Sequence, residues 1–108
     1  MLKRFLDKSG VRVYKNYVGG KWINSTSDQI YEIKNPATNE TVSTVPLSNT
    51  KDLDEAVHVA QDTFKTWQKI SPQERIRYML KYQALIKENR DELAHILTEE
   101  QGKTLTDA

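Results

Sequence analysis

Apolar and polar residues follow two different patterns along this chain, and the change falls near Ser48. Before that residue, short runs rich in β-branched and aromatic residues predict strands at "VRVYKNYV", "KWI", "IYEIK" and "TVSTV". Gly19-Gly20 provides the positive φ angles of a tight hairpin turn. The stretch "NPATNE" is a second turn, in which Asn35 and Asn39 can bond their own backbone. Pro46 then ends the last strand, because it lacks a donor for the ladder.

After Ser48 the spacing becomes that of amphipathic helices. The first helix carries one apolar stripe at the i, i+3, i+4 spacing, formed by Leu53, Ala56, Val57, Ala60, Phe64 and Trp67. Asn49 or Thr50 is the predicted cap, and the acidic residues of the first turn favour the positive end of the helix dipole. The stripe predicts that Trp67 is a core residue.

A second helix begins clearly at "SPQE". Ser71 is the predicted cap, Pro72 the first helical residue and Glu74 the partner in a capping box. Its apolar residues form two neighbouring rows: Ile76, Met79, Leu80 and Ile86 in one, and Tyr78, Tyr82 and Leu85 in the other. A helix with so wide an apolar arc is predicted to be contacted on several sides.

The third helix follows almost without a gap. Asn89 can end the second helix and Asp91 can cap the third, whose Leu93, Ile96 and Leu97 are predicted to face inward. Gly102 supplies the left-handed C-terminal residue, and Thr104 or Thr106 would cap a further helix. The predicted fold class is therefore an α+β segment, with an N-terminal β-hairpin and strands followed by three amphipathic helices.

Composition limits how much of this apolar surface the chain can cover by itself. With 108 residues there is room for one domain and one modest core. Hydrophobic residues make up 37% and charged residues 29%, and the mean hydropathy is -0.72. The chain is poor in residues that could bury its helices completely.

The charge is unevenly spread. The formal net charge is +1, but residues 1–21 carry six basic residues against Asp7, which is +5, so the remainder sums to -4. We interpret residues 1–13 as a solvated basic leader rather than a nucleic-acid or membrane contact, because no aromatic-basic alternation follows. "MLKRFL" is too short and Ser-poor for a good transit peptide. The predicted location is the cytoplasm, with the mitochondrial matrix as the alternative.

One short motif, Gly102-Lys103-Thr104, invites a phosphate-binding interpretation. A P-loop needs another glycine five positions before Gly102, and that position is Leu97, in the middle of a helical stripe. The motif also follows a helix, whereas a P-loop follows a strand. We therefore predict that Gly102 is a helix stop.

Other candidate chemistry is equally weak. Cysteine is absent, which excludes disulfides, thiolate metal sites and a cysteine nucleophile within these residues. His58 and His95 lack partners at metal-ligand spacing. The pairs Asp91-Glu92 and Glu99-Glu100 diverge on their helix and are interpreted as solvated, with His95 pairing with Asp91 and Glu99. We predict no catalytic, cofactor-binding or metal-binding residue in this chain.

The order of several longer stretches resembles the beginning of an aldehyde dehydrogenase. The stretches are "KNYVGGKW", "NPATNE", "VPLS", "FKTW", "SPQER" and "KYQALIKENRDELAHILTEEQGKTLTDA", and the resemblance covers residues 14–108. "NPAT" and the pattern Glu100-x-Gly102-Lys103 are widely shared in that superfamily. The wording of "NPATNE", "YQALIKEN" and "EQGKTLTDA" is most similar to the methylmalonate-semialdehyde dehydrogenase branch. Succinate-semialdehyde dehydrogenases usually have proline where this chain has Thr104.

This resemblance implies that residues 14–108 are the incomplete N-terminal segment of the NAD-binding domain in an α/β aldehyde dehydrogenase fold. The implied reaction is oxidation of a small aldehyde through a cysteine thioester, with NAD as cofactor and transfer to coenzyme A as co-substrate, in valine catabolism. The implied partners are the remainder of the dehydrogenase chain and, at full length, further copies in a homo-oligomer. The alternative is a stand-alone helical interaction module that binds a partner through the same apolar arc.

Overall fold

A computed structural model of the chain describes residues 5–108. The strands are β1 (Arg12–Val13), β2 (Asn16–Val18), β3 (Lys21–Ile23), β4 (Ile30–Lys34) and β5 (Thr41–Pro46), and the helices are α1 (Thr50–Trp67), α2 (Pro72–Glu88) and α3 (Arg90–Gln101). One sheet has the order β1-β5-β4, and β2 and β3 form a separate hairpin. The predicted α+β class is confirmed.

The single strand predicted for "VRVYKNYV" is wrong, because the chain changes sheets in its middle. β1 runs parallel to β5, with Arg12 opposite Ser43, whereas β2 pairs antiparallel with β3, with Tyr17 opposite Trp22. Both halves have the same β-forming composition, so the local pattern does not reveal the break. Tyr14 and Lys15 therefore connect one sheet to the other between β1 and β2.

The predicted turns are confirmed. Gly19 and Gly20 have φ angles of 58° and 77°, as the tight β2–β3 turn requires. The Asn35 side chain accepts a hydrogen bond from the Ala37 N–H at 2.9 Å. Asn39 adopts a left-handed φ of 60°, and its N–H donates to the Asn35 carbonyl at 2.8 Å. These bonds set the register of β4 and β5.

Two of the predicted helix starts are confirmed and one is wrong. Asn49 caps α1 by accepting from the Asp52 N–H at 3.1 Å, and Ser71 caps α2 by accepting from the Glu74 N–H at 3.2 Å. Asp91 does not cap α3, because α3 already begins at Arg90 with Asn89 as its cap residue. The Asn89 amide instead donates to the Leu85 carbonyl at 2.8 Å, which closes the last turn of α2.

The end of the chain also behaves as the sequence predicts. Gly102 ends α3 in the left-handed conformation, and its N–H donates to the Thr98 carbonyl at 2.9 Å. Thr104, one of the two predicted caps, accepts from the Asp107 N–H through its hydroxyl at 3.3 Å. Its hydroxyl lies 2.8 Å from the Asp107 carboxylate. The last residues therefore form a capped turn.

The basic leader is not simply solvated. Phe5 is buried, at 8% exposure, and packs edge-on against Trp22 with ring centroids 4.9 Å apart. The Arg12 side chain is only 12% exposed. The solvated interpretation is therefore wrong for these two residues, whereas residues 6–10, which include Lys8, are exposed as interpreted. Residues 1–4 lie outside the described residues. The division of the chain after residue 13 stays a prediction.

The described residues contain very little core. Among residues 5–108 only Phe5, Ser43 and Asp52 are buried. Trp67, the predicted core residue, is 37% exposed and packs edge-on against Tyr78 with centroids 5.5 Å apart. That prediction is wrong for the chain as described, because nothing within residues 5–108 covers the outer side of α1.

Candidate functional site

The apolar stripe of α1 lines a long open groove, and the second wall of the groove is the β2–β3 hairpin. Two adjoining cavities of about 540 and 680 Å³ share Tyr17, Val18 and Ala56 in their linings. Leu53 lies in the first cavity and Phe64 in the second. We call this feature the α1 groove. A helix of 18 residues is about 27 Å long, so the groove is long enough to hold a partner helix or strand.

Helix α2 is exposed on more than one side. Seven of its large apolar side chains have exposures between 41% and 63%: Ile76, Tyr78, Met79, Leu80, Tyr82, Leu85 and Ile86. None of its residues is buried. We call these seven residues the α2 belt. The wide apolar arc predicted from the sequence is confirmed, and in residues 5–108 it lacks a cover.

The total surface of the chain supports the same conclusion. Its accessible area is 8844 Å², whereas a folded protein of 12.5 kDa exposes about 6200 Å². Its radius of gyration is 17.0 Å, against about 13 Å for a compact domain of this length. The excess of about 2700 Å² exceeds the roughly 800 Å² that each partner buries in a standard interface. This chain is a layer with an unusually large surface to cover.

A buried carboxylate holds the loop after β3 onto the start of α1. Asp52 accepts hydrogen bonds from the Ser25 hydroxyl and from the Thr26 N–H and hydroxyl, the last two at 3.0 and 2.8 Å. The Ser25 hydroxyl first, and then the Thr26 N–H, lower the Asp52 pKa from 3.8 to about 2. The sequence assigns Asp52 only to the helix dipole. The hydroxyl-rich stretch "NSTS", which contains Ser25 and Thr26, is the part of the sequence that could have indicated a carboxylate partner.

A second charge, the largely buried Arg12 side chain, joins β1 to the end of α3. The Arg12 guanidinium donates to the Glu99 carboxylate at 2.8 Å and lies 3.8 Å from that of Glu100. The Ser43 hydroxyl, fully buried, lies 3.4 Å from Glu100. The interpretation of Glu99-Glu100 as a solvated pair is therefore wrong, as is the pairing of Glu99 with His95. An arginine between Val11 and Val13 in a strand was the signal that a partner charge lies nearby.

The glycine of the Gly-Lys-Thr motif is explained by packing. A Cβ atom built on Gly102 would lie 3.0 Å from the Pro36 Cγ atom, so the turn "NPATNE" touches the end of α3. Its φ of 74° also favours glycine. Backbone and contact together account for this residue as a helix stop, as predicted.

Alanine at Gly102 should open the end of α3. We expect the end of α3 to be destabilised by about 1–2 kcal/mol, because the added Cβ atom lies in the left-handed region. The contact with Pro36 should destabilise it further. Hydrogen exchange at Thr98–Gln101 measures the loss of amide protection. Gly20→Ala is the matched control, because Gly20 has a similar φ of 77° but nothing within 4 Å of the added Cβ. Equal losses of local amide protection, at the β2–β3 turn for Gly20→Ala and at the end of α3 for Gly102→Ala, would contradict the role of Pro36.

The glycines and histidines considered as candidate site residues have local structural surroundings that account for them. Gly19 and Gly20 form the hairpin turn, and Gly102 ends a helix, so these glycines do not form a phosphate-binding turn. His58 lies 3.3 Å from Asp62 one turn along α1, at an exposed position. Groups of three or more metal-ligating side chains do not occur within residues 5–108. The absence of catalytic and binding residues from the whole chain stays a prediction.

The hydropathy of the helices shows whether any of them could span a membrane. In the part of the chain that the structure describes, no helix combines the length and the apolar character needed to cross a membrane.

The described residues form a strand-and-helix layer of the α+β class whose apolar side is largely exposed. A model of the aldehyde dehydrogenase family matches residues 22–108. The chain belongs to the aldehyde dehydrogenase family. The predicted resemblance is therefore confirmed.

The relatives are semialdehyde dehydrogenases several times longer than the matched region. The chain is 47% identical over 98 residues to malonate-semialdehyde dehydrogenase 2 of Bacillus mycoides (strain KBAB4), covering 91% of this chain and 20% of the relative. It is 44% identical over 100 residues to malonate-semialdehyde dehydrogenase 2 of Geobacillus kaustophilus (strain HTA426), covering 93% and 21%. The chain thus spans about a fifth of the length of these relatives, at their N-terminal end.

The comparison with solved structures also finds a semialdehyde dehydrogenase. The fold is similar, with a TM-score of 0.87 and 36% identity, to a protein of Sinorhizobium meliloti 1021 assigned as a methylmalonate-semialdehyde dehydrogenase and crystallised with NAD. The match covers 93% of this chain and 20% of that one. The aldehydes in the two sets of names differ by one methyl group.

Proposed function

We propose that this chain forms the N-terminal layer of an NAD-dependent semialdehyde dehydrogenase, in which the remaining polypeptide performs the oxidation. One observation carries the proposal: the α1 groove and the α2 belt are uncovered in a chain that matches about a fifth of its relatives. Its role is structural, and no residue of 1–108 touches the reacting atoms. The remaining polypeptide supplies the cover for this layer.

The finer chemistry of the proposal rests on the relatives. Malonate or methylmalonate semialdehyde is the substrate class, NAD accepts the hydride, and coenzyme A accepts the acyl group from a cysteine thioester. The names of the relatives and the NAD in the Sinorhizobium structure support this choice. The enzyme would work as a homo-oligomer in the cytoplasm, with the mitochondrial matrix as the alternative.

A chimera tests the proposed role. This chain replaces the matched N-terminal fifth of the Bacillus mycoides relative, and NADH formation from malonate semialdehyde is followed. We expect activity from the chimera and none from the relative without its N-terminal fifth. Phe64→Glu, in the α1 groove, should abolish the activity because it places a charge against the covering polypeptide. Lys65→Glu, the exposed neighbour, should not.

Two results would overturn the proposed role. A chimera that forms no NADH, whether soluble or aggregated, contradicts it. So does equal activity of the Phe64→Glu and Lys65→Glu chimeras, because the α1 groove would then be uncovered in the working enzyme.

The chain alone should neither reduce nor bind NAD, because the residues that hold the dinucleotide belong to the remaining polypeptide. Isothermal titration calorimetry of the purified 108-residue chain with NAD is the measurement, and the unsubstituted relative is the control that binds. A dissociation constant in the micromolar range for the chain alone would contradict the assignment of no cofactor-binding residue.

A test of the substrate class requires the dehydrogenase polypeptide that belongs to this segment, rather than a chimera. We expect the dehydrogenase encoded together with this segment to oxidise malonate or methylmalonate semialdehyde faster than succinate semialdehyde, and to need coenzyme A for turnover. Release of the free acid at the same rate without coenzyme A would assign the enzyme to hydrolytic aldehyde dehydrogenases instead.

The second candidate, a stand-alone interaction module, predicts a different behaviour for the isolated chain. It requires cooperative thermal unfolding of a monomer, whereas an uncovered layer should bind a hydrophobic dye and unfold broadly. The exposed α2 belt is the observation that motivates this candidate. Circular dichroism with sedimentation distinguishes the two.

A further inference from the structure

Charged residues on the middle of α2 are confined to one narrow stripe. Between Ile76 and Ile86 the only charged residues are Arg77 and Lys81. They lie four residues apart and therefore on the same side of the helix. We call this side the basic stripe of α2. Every other side of this part of the helix carries members of the α2 belt.

Helical geometry places the apolar side chains around the rest of the circumference. Successive residues turn by about 100°, so Met79 lies opposite the basic stripe, and Leu80 and Leu85 lie to either side of it. All three are exposed, at 63%, 59% and 48%. Gln83, four residues after Met79, is the one polar side chain between Ile76 and Ile86 outside the basic stripe. A helix with apolar side chains around so much of its circumference is stable only when it is surrounded.

We propose that α2 is inserted between two layers of the remaining dehydrogenase polypeptide, with only its basic stripe left in water. This inference rests on the proposed function and specifies how the partner is arranged. One flat contact would cover Met79 and leave Leu80 and Leu85 exposed. The occupant must therefore contact α2 on both flanks as well as opposite the basic stripe.

Two observations favour this occupant over a second copy of the chain. The relatives have about four fifths of their length outside the matched region, which is enough polypeptide to enclose a helix. The excess surface of about 2700 Å² is several times what one side of a standard interface buries.

Oxidative footprinting with methionine as the reporter tests the insertion. Met79 reports on the side opposite the basic stripe, and Leu80→Met and Leu85→Met report on the flanks with little change of volume. Lys81→Met, matched in helix propensity, reports on the stripe. Each variant is made in the chimera described above, and NADH formation is measured alongside. Mass spectrometry then compares the oxidation rate of each methionine.

We expect methionine at position 81 to be oxidised several-fold faster than methionine at 79, 80 or 85. In the Lys81→Met variant the oxidation rates of Met79 and of the introduced methionine can be compared directly, because both residues lie in one peptide. Fast oxidation at 80 or 85 in an active chimera would overturn the insertion while leaving the proposed function intact. Slow oxidation at 81 would show that α2 is enclosed completely, which also overturns the proposal. An inactive chimera would count against the proposed function itself.

Discussion

Alanine at Arg12 should lower the amide protection of α3 by about 30-fold. The guanidinium is almost buried and bonds Glu99 at 2.8 Å, so its removal leaves two carboxylates without their cation. Breaking a fully buried pair costs about 3–5 kcal/mol. Because the Glu99 side chain is 45% exposed, water compensates part of the loss, and we expect about 2 kcal/mol.

Hydrogen exchange of the dehydrogenase chimera measures this effect, with β5 and α3 as the reporting elements. Arg12→Lys is the matched control, since it keeps the charge but loses the planar fork that reaches both carboxylates. We expect a smaller loss of protection for lysine than for alanine. Unchanged protection in the alanine variant would show that α3 is held by packing alone and that the ion pair is incidental.

Asparagine at Asp52 should release the loop after β3 from the N-terminus of α1. The carboxylate accepts from the Ser25 hydroxyl and from both the N–H and the hydroxyl of Thr26. Hydrogen bonds to a charged acceptor are roughly twice as strong as neutral ones, and an amide offers one acceptor oxygen instead of two. The expected result is faster exchange of the Thr26 amide at neutral pH.

The same carboxylate makes the loop sensitive to acid in a defined direction. Its folded-state pKa of about 2 lies below the ordinary value of 3.8. The stabilisation is therefore complete above about pH 4 and is lost as the pH falls through the folded-state pKa. The Thr26 amide shift, followed by NMR, should titrate in that range and should not titrate in Asp52→Asn. Asp54→Asn, an exposed neighbour on α1, should leave the titration unchanged.

Local features of this fold were predictable because local bonds produce them. Asn49, Ser71 and Gly102 end or begin helices through groups within four residues of themselves. The turn at Gly19-Gly20 likewise depends on φ angles that glycine adopts freely. Such residues act through the neighbouring backbone, and their positions follow from the sequence.

Features that depend on distant residues were not predictable in this way. The change of sheet after Val13, the burial of Phe5 against Trp22 and the pairing of Arg12 with Glu99 all join parts far apart in sequence. The misplaced cap at Asp91 has another cause, because one residue, Asn89, serves two helices. The α2 belt was predictable because all its residues lie on one helix. For Asp52, the stretch "NSTS" offers hydroxyl donors, but its contact with the start of α1 depends on residues 26 and 27 positions apart.

The uncovered α1 groove and α2 belt have a consequence during synthesis. Relatives in which 98 residues make up 20% of the length contain about 390 residues still to be translated when the last residue of the matched segment is added. At roughly 5–20 residues per second, that takes about 20–80 s. A nascent layer of this kind would expose its apolar side to solvent until enough of the remaining polypeptide has left the ribosome to cover it. Binding by a chaperone near the exit tunnel would protect it from aggregation until its cover has been made.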